Sequence, residues 1–306
     1  MTDPDELEKR REATIRDIEQ TDLLREQRTQ IEDLRRELDL ARGQLAQKDE
    51  FTSSNPKGPL VEFLTPSYVG CKAEYVRSLL ESMRLLARRG YRTRAVFASG
   101  VSIISNARTW LFGQAVEDDA DVFAMIDSDI GWNPGDLLYC VEQSEPMVVI
   151  PVPIRNVDLE TMIDRERKAE GIAFNVWPQD MGELRKREQK AGMVRIDGAG
   201  GAFTVMKKDA ALSLIRHYPD LEVRIDAEER KSWALWHPIL KDGVEWGEDT
   251  SFFYRWHQIG GQTWALLSSS PTSHSGELVL EGRLFEKLNP DLPDESTRVY
   301  TGRYGK

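Results

Sequence analysis

Asp121-Val122-Phe123-Ala124-Met125-Ile126-Asp127-Ser128-Asp129 is an apolar run that stops in two carboxylates one residue apart, with Gly131-Trp132-Asn133-Pro134 close behind. A run this short, flanked by acids, suits a buried central strand better than a buried helix, so Val122 to Ile126 is expected to be that strand. In an open α/β sheet, ligands bind in the crevice outside the carboxyl ends of the strands. Asp127 and Asp129 fall at that edge, where hard oxygen ligands can hold Mg²⁺ or Mn²⁺ against a diphosphate. Asp-x-Asp alone also describes a plain solvated turn, so other segments must decide between the two.

On either side of this strand the pattern alternates. Strands are expected at Leu60 to Leu64, Arg92 to Ala98 and Met147 to Val152, and helices at Glu74 to Arg89, Ile103 to Val116 and Pro134 to Gln143. Such a series implies an α/β fold, a parallel sheet with right-handed crossovers covering both faces. Residues 155 to 192 are charge-rich and weakly periodic, as an insertion over the active face would be. The last third reads as strands at Met193 to Ile196, Ala202 to Met206 and Thr263 to Leu267, with helices at Lys208 to His217 and Asp249 to Ile259. After Gly282 the chain is polar and proline-bearing, which makes 283 to 306 a tail and 60 to 282 the folded domain.

Residues 1 to 50 are a different material. Leu24, Ile31, Leu38 and Leu45 recur every seven residues, and Leu34 and Ala41 fill the intervening seam. That heptad predicts a coiled-coil helix for self-association or for docking to a partner helix, with a solvated single helix as the alternative. Phe51 to Pro59 carries Ser, Asn, Pro and Gly and reads as a linker. The 306 residues have a net charge of -11, which weighs against duplex DNA as a partner. Two cysteines, Cys71 and Cys140, an acidic start without an apolar signal core, and the absence of a membrane-length apolar run suit a cytoplasmic protein, or the host cytoplasm for a viral one.

Three further segments matter. Asp197-Gly198-Ala199-Gly200-Gly201-Ala202 precedes a strand and lets a ligand approach the backbone closely, with a plain β-bulge or turn as the alternative. Trp246-Gly247-Glu248-Asp249 opens a helix whose macrodipole favours those acids, and Ser273-His274-Ser275-Gly276 follows an apolar strand.

Taken in order, these motifs resemble the GT-A-fold nucleotide-sugar glycosyltransferases, closest to a bacterial and bacteriophage branch, over Leu60 to Gly282. The resemblance implies a metal-dependent transfer from a nucleoside-diphosphate sugar, by default a UDP-sugar, to a hydroxyl of a protein, a glycan or a modified nucleic acid. On it, Asp127 contacts the ribose or the metal, and Asp129 and His274 ligate Mn²⁺ or Mg²⁺. Thr65, Pro66 and Tyr68 match the base pocket, Arg108 an arginine facing the nucleotide, and Gly200, Gly201 and Trp246 the donor sugar site. Asp249 matches the general base of inverting members, with Glu248 beside it. Two rivals remain at this point. Haloacid-dehalogenase-type phosphohydrolases also place Asp-x-Asp after a strand, although Ile130 stands where that class has Thr. A non-catalytic α/β module presented by a coiled coil is the other.

Overall fold

The computed structural model describes residues 57–157, 172–225, 230–276 and 280–283. The expected coiled coil at 1–50, the linker up to 56 and the tail beyond 283 lie outside these residues. Chain order begins with β1 (Leu60–Ser67), α1 (Ala73–Arg88), β2 (Arg92–Ser99), α2 (Ile104–Glu117), β3 (Val122–Ile126), β4 (Ile130–Gly131), α3 (Pro134–Glu142) and β5 (Met147–Val149). Then come β6 (Pro153–Val157), β7 (Ile172–Phe174), β8 (Val176–Trp177), α4 (Met181–Arg185), β9 (Gln189–Lys190), β10 (Met193–Ile196) and β11 (Gly198–Ala199). They are followed by β12 (Phe203–Lys207), α5 (Lys208–His217), β13 (Glu222–Arg224), β14 (Lys231–Trp233), β15 (Ile239–Lys241) and β16 (Val244–Trp246). The described chain closes with α6 (Glu248–Gln258), β17 (Thr263–Leu266), β18 (Thr272–His274) and β19 (Leu280–Gly282).

An eight-stranded sheet in the order β2-β1-β3-β12-β5-β17-β10-β9 forms the centre. The expected α/β architecture is what the chain adopts, a mixed sheet with helices on both faces. Six of the eight strands point one way, while β12 and β10 run against their neighbours. The alternation of strand and helix implies a parallel sheet. Instead β12 lies between β3 and β5, antiparallel to both, with Phe203 opposite Ile126. This reversal matters for the site, because it brings the start of β12 and its preceding glycines to the carboxyl end of β3.

Burial on both faces explains why the apolar runs are continuous. From β1 and β3, Leu60, Leu64, Phe123 and Met125 pack with Ala107, Leu111 and Phe112 of α2 and with Phe252 and Phe253 of α6. Their alternates Val61, Phe63, Val122, Ala124 and Ile126 pack with Tyr75 and Leu79 of α1 and Leu137 and Val141 of α3. Each such side chain contributes about 1.5–3 kcal/mol by leaving water. Local signals set the helix ends. Asn133 caps α3 by accepting from the Gly135 N–H at 2.8 Å, with Pro134 in the first turn. Gly90, at φ +86°, ends the turn after α1 in the left-handed region.

The reading of residues 155 to 192 as an insertion outside the core needs correction where they are described. Ile172, Phe174, Val176 and Leu184 are buried in the same cluster as α2 and α6, and β9 forms an edge of the main sheet. The apolar residues at 172, 174 and 176 alternate as in a strand, but the run is too short to stand out from its charged flanks. Among the described residues, no helix is long and apolar enough to cross a membrane.

Candidate active site

Because β1, β2 and β3 are parallel, their carboxyl ends share one edge of the sheet. There a cleft of about 220 Å³ is lined by Pro66, Ser67 and Tyr68 at the carboxyl end of β1, by Val101, Ser102 and Ile104 at the entry to α2, and by Asp127, Ser128 and Asp129 after β3. Tyr68 is 64% exposed beside it. Thr65, expected in the base pocket, does not line the cleft. It is fully buried, and its hydroxyl is hydrogen-bonded to that of Tyr75.

The centre of the arrangement is Arg108, on α2. Its Nη2 donates to Asp127 Oδ1 at 3.1 Å and to Oδ2 at 3.4 Å, and its Nη1 donates to Asp249 Oδ1. Nη1 also lies 3.6 Å from Glu248 Oε1. The Arg108 side chain is only 3% exposed, whereas the three carboxylates are each about a quarter exposed. Arg108, expected to face a nucleotide, lies buried and faces these carboxylates. A guanidinium taken out of water costs several kcal/mol unless it is paired, and here it has three partners of opposite charge. Burial works against its charge, and Asp249, Asp127 and Glu248 more than offset that, raising its pKa above the usual value. For Asp127, burial pushes the carboxyl above the ordinary range. Arg108 pulls it down, and the neighbouring Asp249 and Asp129 add to the rise.

Gly201 sits against this pair. A Cβ there would overlap Arg108 Nη1 and Cζ and Asp249 Oδ1. β12 places it so, through its reversed pairing with β3 and a bond from the Asp127 N–H to the Ala202 carbonyl at 2.9 Å. Gly200 is held apart from the pair, exchanging hydrogen bonds with Asn175 through its N–H at 2.7 Å and its carbonyl at 2.9 Å. Ser251 accepts from the Ile239 N–H at 3.0 Å and donates to the Trp246 carbonyl at 3.0 Å, tying the β15–β16 hairpin to the first turn of α6. Trp246 stands edge-on to Tyr254 with ring centroids 5.0 Å apart, half-buried and not among the residues lining the cleft.

On the other side of the acidic pair, β18 adds to β4 with His274 opposite Ile130, next to Asp129. His274 Nδ1 bonds the Pro153 carbonyl at 2.8 Å, and since a carbonyl only accepts, that nitrogen carries the hydrogen. Nε2 is then the lone-pair nitrogen of the neutral ring, and it lies 3.5 Å from Asp129 Oδ2. Among the described residues no group of three His, Cys, Asp or Glu side chains converges as a metal cluster. One carboxylate and one imidazole with its second nitrogen tied back nevertheless suit a Mn²⁺ or Mg²⁺ ion that takes its other ligands from phosphate and water.

The structure therefore brings Asp127, Asp129, Glu248, Asp249, His274, Arg108 and Gly201 to one edge; of these Asp127 and Asp129 line the cleft, and Thr65, Gly200 and Trp246 also lie off its wall. Sequence reasoning passed over Ser67, Val101, Ser102 and Ile104, which line the cleft, and Pro153, whose carbonyl orients His274. The first four were findable, since they follow the carboxyl ends of β1 and β2 where crevice residues belong. Pro153 gave no signal.

No protein-family model matches the chain, and no curated protein matches it significantly. Among solved structures it is similar to A197 from STIV, at TM-score 0.40 and 14% identity over 74% of this chain and 94% of that one. It is also similar to a glycosyltransferase involved in the glycosylation of the major capsid of PBCV-1, at TM-score 0.35 and 13% identity over 68% of this chain and 81% of that one.

Proposed function

We propose that this chain is a metal-dependent glycosyltransferase of GT-A type, moving a sugar from a nucleoside-diphosphate donor to a hydroxyl acceptor with inversion. The observation that carries the reading is the link from Asp127 through Arg108 to Asp249, beside the Asp129–His274 pair and an open cleft. The residues divide into three sets. Pro66, Tyr68 and the α2 entry would receive the nucleoside, and Asp127 its ribose. Asp129 and His274 would hold the divalent cation, which when bound neutralises charge on the departing diphosphate. Asp249 would accept the acceptor's proton as its oxygen attacks the anomeric carbon, a role that requires a carboxylate within roughly 2.6–3.2 Å of that hydroxyl. Glu248 stands beside it as the secondary carboxylate.

The test is nucleoside-diphosphate release from UDP-, GDP- and TDP-sugars with and without Mn²⁺. We expect Mn²⁺-dependent release that falls in Asp129→Ala by roughly a hundredfold or more, the loss of a few kcal/mol of charge stabilisation. Metal-independent cleavage of phosphate monoesters with no release from any sugar nucleotide would overturn the reading in favour of a phosphohydrolase.

A further inference from the structure

We infer that Arg108 is a positioning residue whose single guanidinium sets where Asp249 stands relative to Asp127, and that residue 201 is glycine because this contact occupies the space of a Cβ. The inference deepens the glycosyltransferase reading and rests on it. Asp127 directly follows β3 and Asp249 lies in the first turn of α6, two elements far apart in the chain, yet each is bonded by a different terminal nitrogen of the same planar group. The fork of a guanidinium is rigid, so carboxylates held on Nη1 and Nη2 are kept at a spacing that a point-like ammonium cannot reproduce. At 3% exposure the side chain is shielded from the cleft, and its influence must pass through the carboxylates it holds.

Gly201 supplies the independent observation. Its φ lies outside the left-handed region, so backbone freedom does not reserve the position for glycine. Sterics do. A methyl group would meet Arg108 Nη1 and Cζ and Asp249 Oδ1 together, so these side-chain ends must shift away from the places that the bond from Nη2 to Asp127 gives them. With Asp249 Oδ1 taken by Arg108, Oδ2 becomes the oxygen that receives the acceptor's proton. That proton moves as the acceptor oxygen bonds the anomeric carbon, while the bond from that carbon to the diphosphate breaks and its electron pair leaves with the nucleotide. The spacing between donor and base would then be built into the fold before either substrate arrives.

The experiment compares hydrolysis of UDP-, GDP- and TDP-glucose with Mn²⁺ and, by calorimetry, binding of the matching nucleoside diphosphate. Gly201→Ala and Arg108→Lys are each expected to lower kcat about a hundredfold while the diphosphate Kd stays within about threefold, the pattern of a displaced base. In an Asp249→Asn background, Gly201→Ala should cost no more than about twofold further, because the group it displaces no longer acts. Wild-type kcat in Gly201→Ala, affinity falling in step with kcat, or a full further loss in the Asp249→Asn background would each overturn the inference and leave the enzyme reading standing. If Gly201→Ala shows no melting transition and no nucleotide binding, Arg108→Lys decides on the same readouts. A wild-type protein that hydrolyses none of the three donors overturns both.

Discussion

His274 and Asp129 face each other with Nε2 and Oδ2 3.5 Å apart, and the Pro153 carbonyl holds the far side of the imidazole ring at 2.8 Å. The pair exists because β18 adds to β4, the two-residue strand that begins directly after Asp129. A backbone hydrogen bond from the Ser275 N–H to the Asp129 carbonyl, at 2.8 Å, closes the same register.

His274→Ala should therefore weaken Mn²⁺ binding in the presence of UDP, since one of the two proposed protein ligands is lost. Titration followed by electron paramagnetic resonance should show a decline of about 10–100-fold. An unchanged Mn²⁺ affinity would remove His274 from the proposed metal site.

A second prediction concerns pH. Glu62, fully buried on β1, has its carboxyl pushed from 4.5 up to about 8, first by burial and then by the neighbouring Asp118, with Arg94 pulling the other way. In the fold it keeps a proton that the unfolded chain releases. Its contribution to stability is thus fully present below about pH 4.5 and is lost as pH rises towards 8. Asp136, raised from 3.8 to about 6 by burial, adds a decline of the same sign at lower pH. Glu62→Gln should flatten the upper part of the profile, raising Tm at pH 8 relative to wild type by about 2–4 °C for each kcal/mol recovered. A Tm profile with the same slope between pH 6 and 8 in both proteins would contradict this.

Gly113 offers a test of the packing that carries Arg108. It lies within α2, where replacing glycine by alanine ordinarily stabilises a helix by about 1 kcal/mol. Here a Cβ would come within 2.6 Å of Ser232 Cβ and 2.7 Å of the Lys231 carbonyl, both on β14. The carbonyl belongs to backbone and cannot yield cheaply, and overpacking of this kind costs about 1–3 kcal/mol. Gly113→Ala should lower Tm, and a rise measured by calorimetry would show that α2 and β14 are less tightly apposed than described.

Much of this molecule was legible before any coordinates. Val122 to Ile126, Met193 to Ile196 and Lys208 to His217 occupy the expected positions, because their apolar spacing is local and strong. The acidic pair at a strand's carboxyl end was equally readable, since the chain itself places Asp127 and Asp129 directly after β3. What no local pattern could show was who meets whom. The reversed insertion of β12 between β3 and β5, the burial of Arg108 among three carboxylates, and the need for glycine at 201 all depend on elements up to 141 residues apart. Periodicity records which face of an element is apolar, and so it foretells strands, helices and edges. Strand order and the pairing of buried charges are settled only when whole elements pack together, so the partners of Arg108 belong to the tertiary structure alone.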